Sequence, residues 1–323
     1  MTNPAQERAT RLASLPFQTT EATSAQPVGA FIRSVKEIFA HRELLDLLIR
    51  RELKSRYKDS ALGFLWSLVR PLTMLVIYFV FIGQILGAAR GVPQFAIFVF
   101  AGLTLWGLFS EIIAGGTGSI VGNAGLIKKV YLPREIFPLA AVGSAVFNFL
   151  VQFVVLVGAT IALGQFPFSA DLVYVPLGVL VVLIYGIALA LLLSAVNVYL
   201  RDIQYLVEVF ILLFFWASPI VYSWSYVVEA AKNSGYLWLS EVYLWNPITV
   251  AMLAFQKGMW TAGSRDNVTG QNPDTGADII APAQPWPDDL NIRLLVAALI
   301  GLVLVWAFQR VFSRLQGNFA QEI

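Results

Sequence analysis

Apolar and polar positions divide this chain into stretches of different rhythm. From Phe31 to Leu53, the residues Phe31, Ile32, Val35, Ile38, Phe39, Leu44, Leu45, Leu48, Ile49 and Leu53 recur at helical spacing between charges. That spacing predicts an amphipathic helix lying in a membrane interface with its apolar side down. Long apolar runs follow, reaching or approaching the roughly 20 residues needed to cross a ~30 Å hydrocarbon core. They are Gly63–Gly87, Gln94–Ala114, Ile136–Leu163, Leu172–Val198, Ile203–Tyr222 and Ile292–Phe312. The pattern predicts an all-α polytopic membrane protein with six transmembrane helices, both ends of the chain lying on one side.

Between Tyr222 and Ile292 the rhythm breaks. Tyr226–Ala231, Tyr236–Trp245 and Ile248–Trp260 are apolar and aromatic but too short to span, and are interrupted by Asn233-Ser234-Gly235 and Asn246-Pro247. Such pieces read as interfacial or re-entrant helices. Thr261–Leu290 is polar, with Gly, Pro and Asp throughout, and reads as an exposed loop. Residues 1–30 have no apolar core of signal-peptide length and read as a disordered tail. The expected organisation is therefore a tail (1–30), an interfacial helix (31–60), a membrane domain (61–317) containing an external segment (223–291), and a short C-terminus (318–323).

Composition agrees: 58% of the 323 residues are hydrophobic and 13% charged, against roughly 25% charged in soluble domains. Mean hydropathy is +0.70. Where the charges fall matters more than the net +2. Ten of the 22 Lys and Arg residues lie in residues 1–61, and Lys128, Lys129, Arg134, Arg201, Arg310 and Arg314 fall on the same predicted side. Only Arg90, Lys232, Lys257, Arg265 and Arg293 fall on the other, with Arg70 inside the first span. Basic residues stay on the cytoplasmic side, so both termini are expected there, in a multi-pass protein of the cytoplasmic (inner) membrane. The stretch Leu47–Leu86 joins the basic cluster to the first span and organises the rest.

The chain has no cysteine and a single histidine, His41, which excludes thiolate chemistry, a His-based metal cluster and a Ser-His-Asp set. No G-x-x-x-x-G-K-[ST] occurs; Gly115-Gly116-Thr117-Gly118-Ser119 lacks the lysine that reaches phosphates, so the chain is not expected to bind ATP itself. No Asp-x-Asp is present for a metal-bound sugar nucleotide. Glu111 and Glu208 are the only acids inside the spans. They read as carboxylates near the cytoplasmic ends, because proton coupling would need deeper, paired acids.

Four landmarks in order resemble the membrane subunits of ABC-2 type polysaccharide exporters, the permeases for O-antigen, teichoic acid and galactan. They are RRELKSRYKDSALGFLWSLVRPL (50–72), Asn197-Val-Tyr-Leu-Arg-Asp-Ile, Trp216-Ala-Ser-Pro-Ile-Val-Tyr and Leu244-Trp-Asn-Pro-Ile. The resemblance implies six spans, an N-terminal interfacial helix and two short external re-entrant helices before the last span. It also implies a homodimer, two copies of a separate ABC ATPase that binds ATP and Mg, and export of a lipid-linked (undecaprenyl-diphosphate type) polysaccharide. No cofactor is expected in this chain, and no nucleic acid as partner. Two other classes remain open: an ion-gradient-driven flippase of lipid-linked sugars, and a membrane-embedded glycosyl- or acyltransferase.

On that resemblance Gly118–Arg134, with Lys128, Lys129, Pro133 and Arg134, would couple to the ATPase; positive-inside anchoring is the plainer reading. Arg50, Arg51, Lys54, Arg56 and Lys58 would meet the substrate's diphosphate or simply anionic lipid. Arg70 either snorkels to the headgroups or contacts the diphosphate. A sugar polymer is hydroxylated on its edges and apolar on its C–H faces, so a path for it should offer aromatic faces. Trp66, Tyr78, Trp106, Tyr185, Tyr199, Phe214, Phe215, Trp216 and Tyr222 are candidates, with Trp224, Tyr226 and Trp238 at an external gate. Many aromatics serve equally as interfacial belts.

Overall fold

The computed structural model describes residues 27–57, 65–85, 87, 92–129, 132–271, 278–281 and 283–323. Most of the expected tail, and Lys58, lie outside them. The interfacial helix expected over 31–60 is two helices, α1 (Pro27–Ala40) and α2 (Arg42–Tyr57), meeting at His41. Nor does α2 only float on a surface. Leu48 is buried, and Ile49 fills the space left by the missing side chain of Gly143, where any Cβ would collide with it.

The first apolar run forms α3 (Trp66–Ile77), which widens directly into a π-helix over Tyr78–Ile85. Pro71 removes one backbone donor within α3, and the Thr73 hydroxyl donates back to the Val69 carbonyl at 2.7 Å. Next comes α4 (Phe95–Gly122), buried along most of its length at the centre of the molecule. Around it pack α6 (Ile136–Ala162), α7 (Tyr174–Tyr199), α8 (Ile203–Trp216) and α11 (Pro247–Met259). Between α4 and α6 lies a short turn of helix, α5 (Ala124–Ile127).

Small residues set how closely the backbones approach. A methyl group at Gly116 of α4 would lie 2.5 Å from Ala190 Cβ of α7, and one at Gly178 of α7 would lie 2.6 Å from the Ala251 carbonyl of α11. The last long helix, α12 (Leu290–Leu315), packs along α7. Phe95–Gly122, Ile136–Ala162, Ala170–Tyr199 and Leu290–Asn318 are long and apolar enough to cross a membrane, whereas the apolar helices Pro71–Ile85 and Ile203–Trp216 are shorter. Outward faces are apolar too, with Leu150, Val154, Leu206, Val209, Leu295, Leu299 and Val303 exposed, as lipid contact requires.

Where the resemblance implies two short helices before the last span, the chain forms three: α9 (Trp224–Asn233), α10 (Trp238–Tyr243) and α11. Asn246-Pro247 is a start signal as well as a break. The Asn246 side chain accepts from the Ile248 N–H at 3.0 Å, and Pro247 occupies the first turn, where its missing N–H costs nothing. Almost every residue of α11 is buried.

Thr261–Leu290 is not simply an exposed loop. Thr261, Ala262 and Gly263 are buried in a 3₁₀ turn, and the strands β1 (Asn267–Gln271) and β2 (Asp278–Ala281) pair antiparallel, so among the described residues this pair is the exception to an otherwise helical fold. The segment returns to cover Trp260: Gln284 is buried and Trp286 meets Trp260 edge-on at 6.3 Å. The C-terminus is likewise packed. In α13 (Phe319–Glu322), Phe319 is fully buried against Phe312 and Tyr199.

Candidate functional site

A cavity of about 630 Å³ opens between α3, α4, α6 and α8, and each helix contributes one stripe to its wall. From α4 come Leu103, Trp106, Gly107, Ser110, Glu111 and Ala114; from α8 come Glu208, Ile211, Leu212, Phe215 and Trp216. Steps of three and four place both sets on single helix faces. Trp66, Pro71, Met74 and Tyr78 line it from the α3 side, Asn148 and Gln152 from α6.

Phe215 is the aromatic hub. Its ring stacks on Tyr78 at 5.9 Å and meets Trp106 and Trp216 edge-on at 5.7 Å and 5.4 Å, geometries that aromatic quadrupoles favour. The polar side of the cavity is equally ordered. Asn148 Nδ2 donates to Glu111 Oε2 at 2.8 Å, which helps to orient the carboxylate at the cavity wall. Ser110, Gln152 and Glu208 add further hydrogen-bonding groups. Together these side chains can hold a ligand with apolar faces and hydroxylated edges.

Among the expected aromatic residues, Trp66, Tyr78, Trp106, Phe215 and Trp216 line this cavity. Phe214 faces elsewhere, stacked on Phe210 at 4.6 Å and Phe109 at 6.4 Å. Tyr222 donates to the Trp216 carbonyl at 2.7 Å and pairs with the Tyr243 hydroxyl at 2.5 Å. Trp224 is 3% exposed, packed on Tyr243. The Tyr199 hydroxyl holds the Leu315 carbonyl at 2.7 Å. Glu111 is not near a helix end as expected: it lies eleven residues before Gly122, roughly 16 Å along the axis. Its sharing of one cavity with Glu208 was not legible beforehand. Asn148 and Gln152 were overlooked, although two amides four residues apart in an otherwise apolar helix mark a polar stripe.

None of the described basic side chains lines the cavity. Arg50 is exposed and paired with Asp46 at 2.7 Å, Arg51 donates to the Asn123 side chain at the end of α4, and Lys54 is exposed. The side chains of Arg56 and Arg70 lie outside the described residues. In the segment expected to couple, Gly118–Gly122 simply continue α4, and Asn123 Nδ2 closes the end by donating to the Ser119 carbonyl at 2.7 Å. Lys128 and Lys129 are exposed and Pro133 is half-buried. Arg134 turns inward, its guanidinium 5.7 Å from the Phe319 ring centre. Beside it Glu135 is 4% exposed and accepts from Ser34 Oγ of α1 at 3.3 Å; burial pushes its carboxyl above the usual range.

The family model described as ABC-2 type transporter matches residues 43–260, a stretch that contains every wall of the cavity. The O-antigen export system permease protein RfbA of Myxococcus xanthus is 30% identical over 292 residues, covering 90% of this chain and 100% of that protein. A protein of the same name from Klebsiella pneumoniae is 27% identical over 215 residues, 67% of this chain and 79% of that one. The capsule polysaccharide export inner-membrane protein CtrC of Neisseria meningitidis is 27% identical over 165 residues, 48% and 58% of the two chains.

Proposed function

The chain belongs to the ABC-2 type transporter family, and from that premise we propose that it is the membrane permease of an ATP-driven polysaccharide exporter. The observation that carries this is the cavity, where five aromatic side chains and five hydrogen-bonding ones share a wall between α3, α4, α6 and α8. A sliding glycan needs such a surface, offering many weak stacking and hydroxyl contacts. The names of the relatives point the same way, toward O-antigen or capsule glycans.

In this reading the chain crosses the inner membrane six times, α3 with its π extension and α8 supplying the two shorter passes, and both termini are cytoplasmic. Two copies assemble with an ABC ATPase that binds ATP and Mg. The exposed Lys128 and Lys129 contact that ATPase. Arg50, Arg51, Lys54, Arg56, Lys58 and Arg70 receive the diphosphate of an undecaprenyl-type carrier at the cytoplasmic surface.

A second reading draws on one observation: Glu111 and Glu208 face the same cavity, the paired intramembrane acids that an ion-driven flippase would use. Affinity purification of the chain from its own membranes separates the two, and is expected to bring down an ABC ATPase. Deletion of the gene is expected to strand glycan inside the cell under either reading. Export persisting when ATP is depleted and the ion gradient is kept would favour the flippase and overturn the proposal.

A further inference from the structure

A second pocket, of about 340 Å³, lies behind α9 and shares no residue with the first cavity. Trp260 and Gln284 form its buried floor, 2% and 7% exposed. Pro93, Val228 and Pro285 give apolar walls, while Ser225, Glu229, Lys232 and Asn233 line it from one face of α9, at steps of four, three and one. Its size is at the small end for ligand sites.

Gln284 points to a ligand. Its backbone N–H donates to the Gly263 carbonyl at 2.7 Å and its Oε1 accepts from Ser223 Oγ at 2.5 Å, so the side chain is held in place. Its buried Nε2 has no hydrogen-bond partner among the described residues. An amide donor buried without an acceptor is costly, and most buried polar groups avoid that state. Nε2 has no open surface in the pocket, but a turn of the Gln284 amide would bring this unsatisfied donor to a ligand there, beside a carboxylate, an ammonium, a hydroxyl and a second amide. Acceptors and donors of both signs, set against flat apolar surfaces, suit a neutral ligand whose edges carry hydroxyl groups able to do either.

We propose that this pocket is a second carbohydrate site, holding a mono- or disaccharide unit of the glycan. Its place beside the start of α4 and against α9 puts it at the end of the molecule opposite Lys128 and Lys129. That the sugar belongs to the exported polymer rests on the function proposed above; the pocket's chemistry does not.

The test uses the full chain, purified in nanodiscs and titrated with short oligosaccharides made by partial acid hydrolysis of the same cells' surface glycan. Saturation-transfer NMR reads binding. Gln284→Leu is expected to weaken binding at least tenfold, and the exposed pair Lys232→Ala with Asn233→Ala at least threefold, while Trp216→Ala in the other cavity leaves a bound fraction that competes normally. If Gln284→Leu does not fold, the exposed pair decides. Binding lost with Trp216→Ala but intact in both pocket variants, or no binding at all, overturns the proposal. Because gene deletion reads export separately, a chain that exports glycan yet binds none here would leave the permease reading standing.

Discussion

Glu135 is the side chain whose burial has the clearest measurable consequence. Desolvation raises its pKa above 4.5, Glu37 adds to the rise, and hydrogen bonds from its own backbone, Ser34 and Gln309 only partly oppose it. The folded state therefore holds this proton more tightly than the unfolded chain. Its contribution to stability is fully present below about pH 4.5 and is lost as pH climbs through the raised folded value. Glu135→Gln keeps an oxygen for Ser34 and removes the charge, so thermal unfolding of the purified variant should lose that part of the pH slope and be the more stable near neutrality. Equal slopes for the two proteins would contradict this. In the cavity, Asn148→Leu removes a donor that holds Glu111, and glycan export is expected to drop about tenfold, the scale of losing one hydrogen bond. Surface expression should be unchanged. The sequence displayed both acids, but spacing reveals only which face of a helix a residue occupies. Which helix meets that face is decided by packing, so the pattern alone places Glu111 and Glu208 near the ends of their spans without bringing them to one cavity.

At the scale of elements, Gly116 and Gly118 make a controlled pair on α4. A side chain at Gly116 must displace Ala190 of α7, while nothing lies within 4 Å of a Cβ at Gly118. Gly116→Leu should destabilise the purified protein by about 1–3 kcal/mol or more, as overpacking does, and Gly118→Ala should be neutral or slightly stabilising. Thermal unfolding in one detergent checks both. The exposed Lys128 and Lys129 lie beyond α5, outside any packed helix. Replacing both by Glu should leave melting unchanged and reduce recovery of the ATPase at least several-fold; unaltered assembly and export would return them to the role of membrane anchors. The long helices were legible because 20-residue apolar runs have few alternatives. The division at His41 and the π-helix after Ile77 carry no signal in the apolar pattern, and the buried return of Gln284 and Trp286 over Trp260 is a matter of tertiary packing rather than local preference. Asn246-Pro247 was read as a break because the same residues that end one helix begin another.

For the whole molecule, α4 is a buried post, and α3, α6 and α8 enclose with it an aromatic and hydrogen-bonding cavity. Trp66 and Tyr78 from the first apolar segment and Phe215 and Trp216 from the fifth line that cavity together. The polar contribution of α6 came into view only with the fold. Reconstitution tests this most directly: the chain and its co-purified ATPase in liposomes, with glycan-carrying lipid supplied on the ATPase side and glycan on the far side measured over time. ATP should drive its appearance, and Tyr78→Ala combined with Trp216→Ala should slow it at least tenfold with ATPase assembly intact. Appearance of glycan without ATP, or at an unchanged rate in the double variant, would contradict the account.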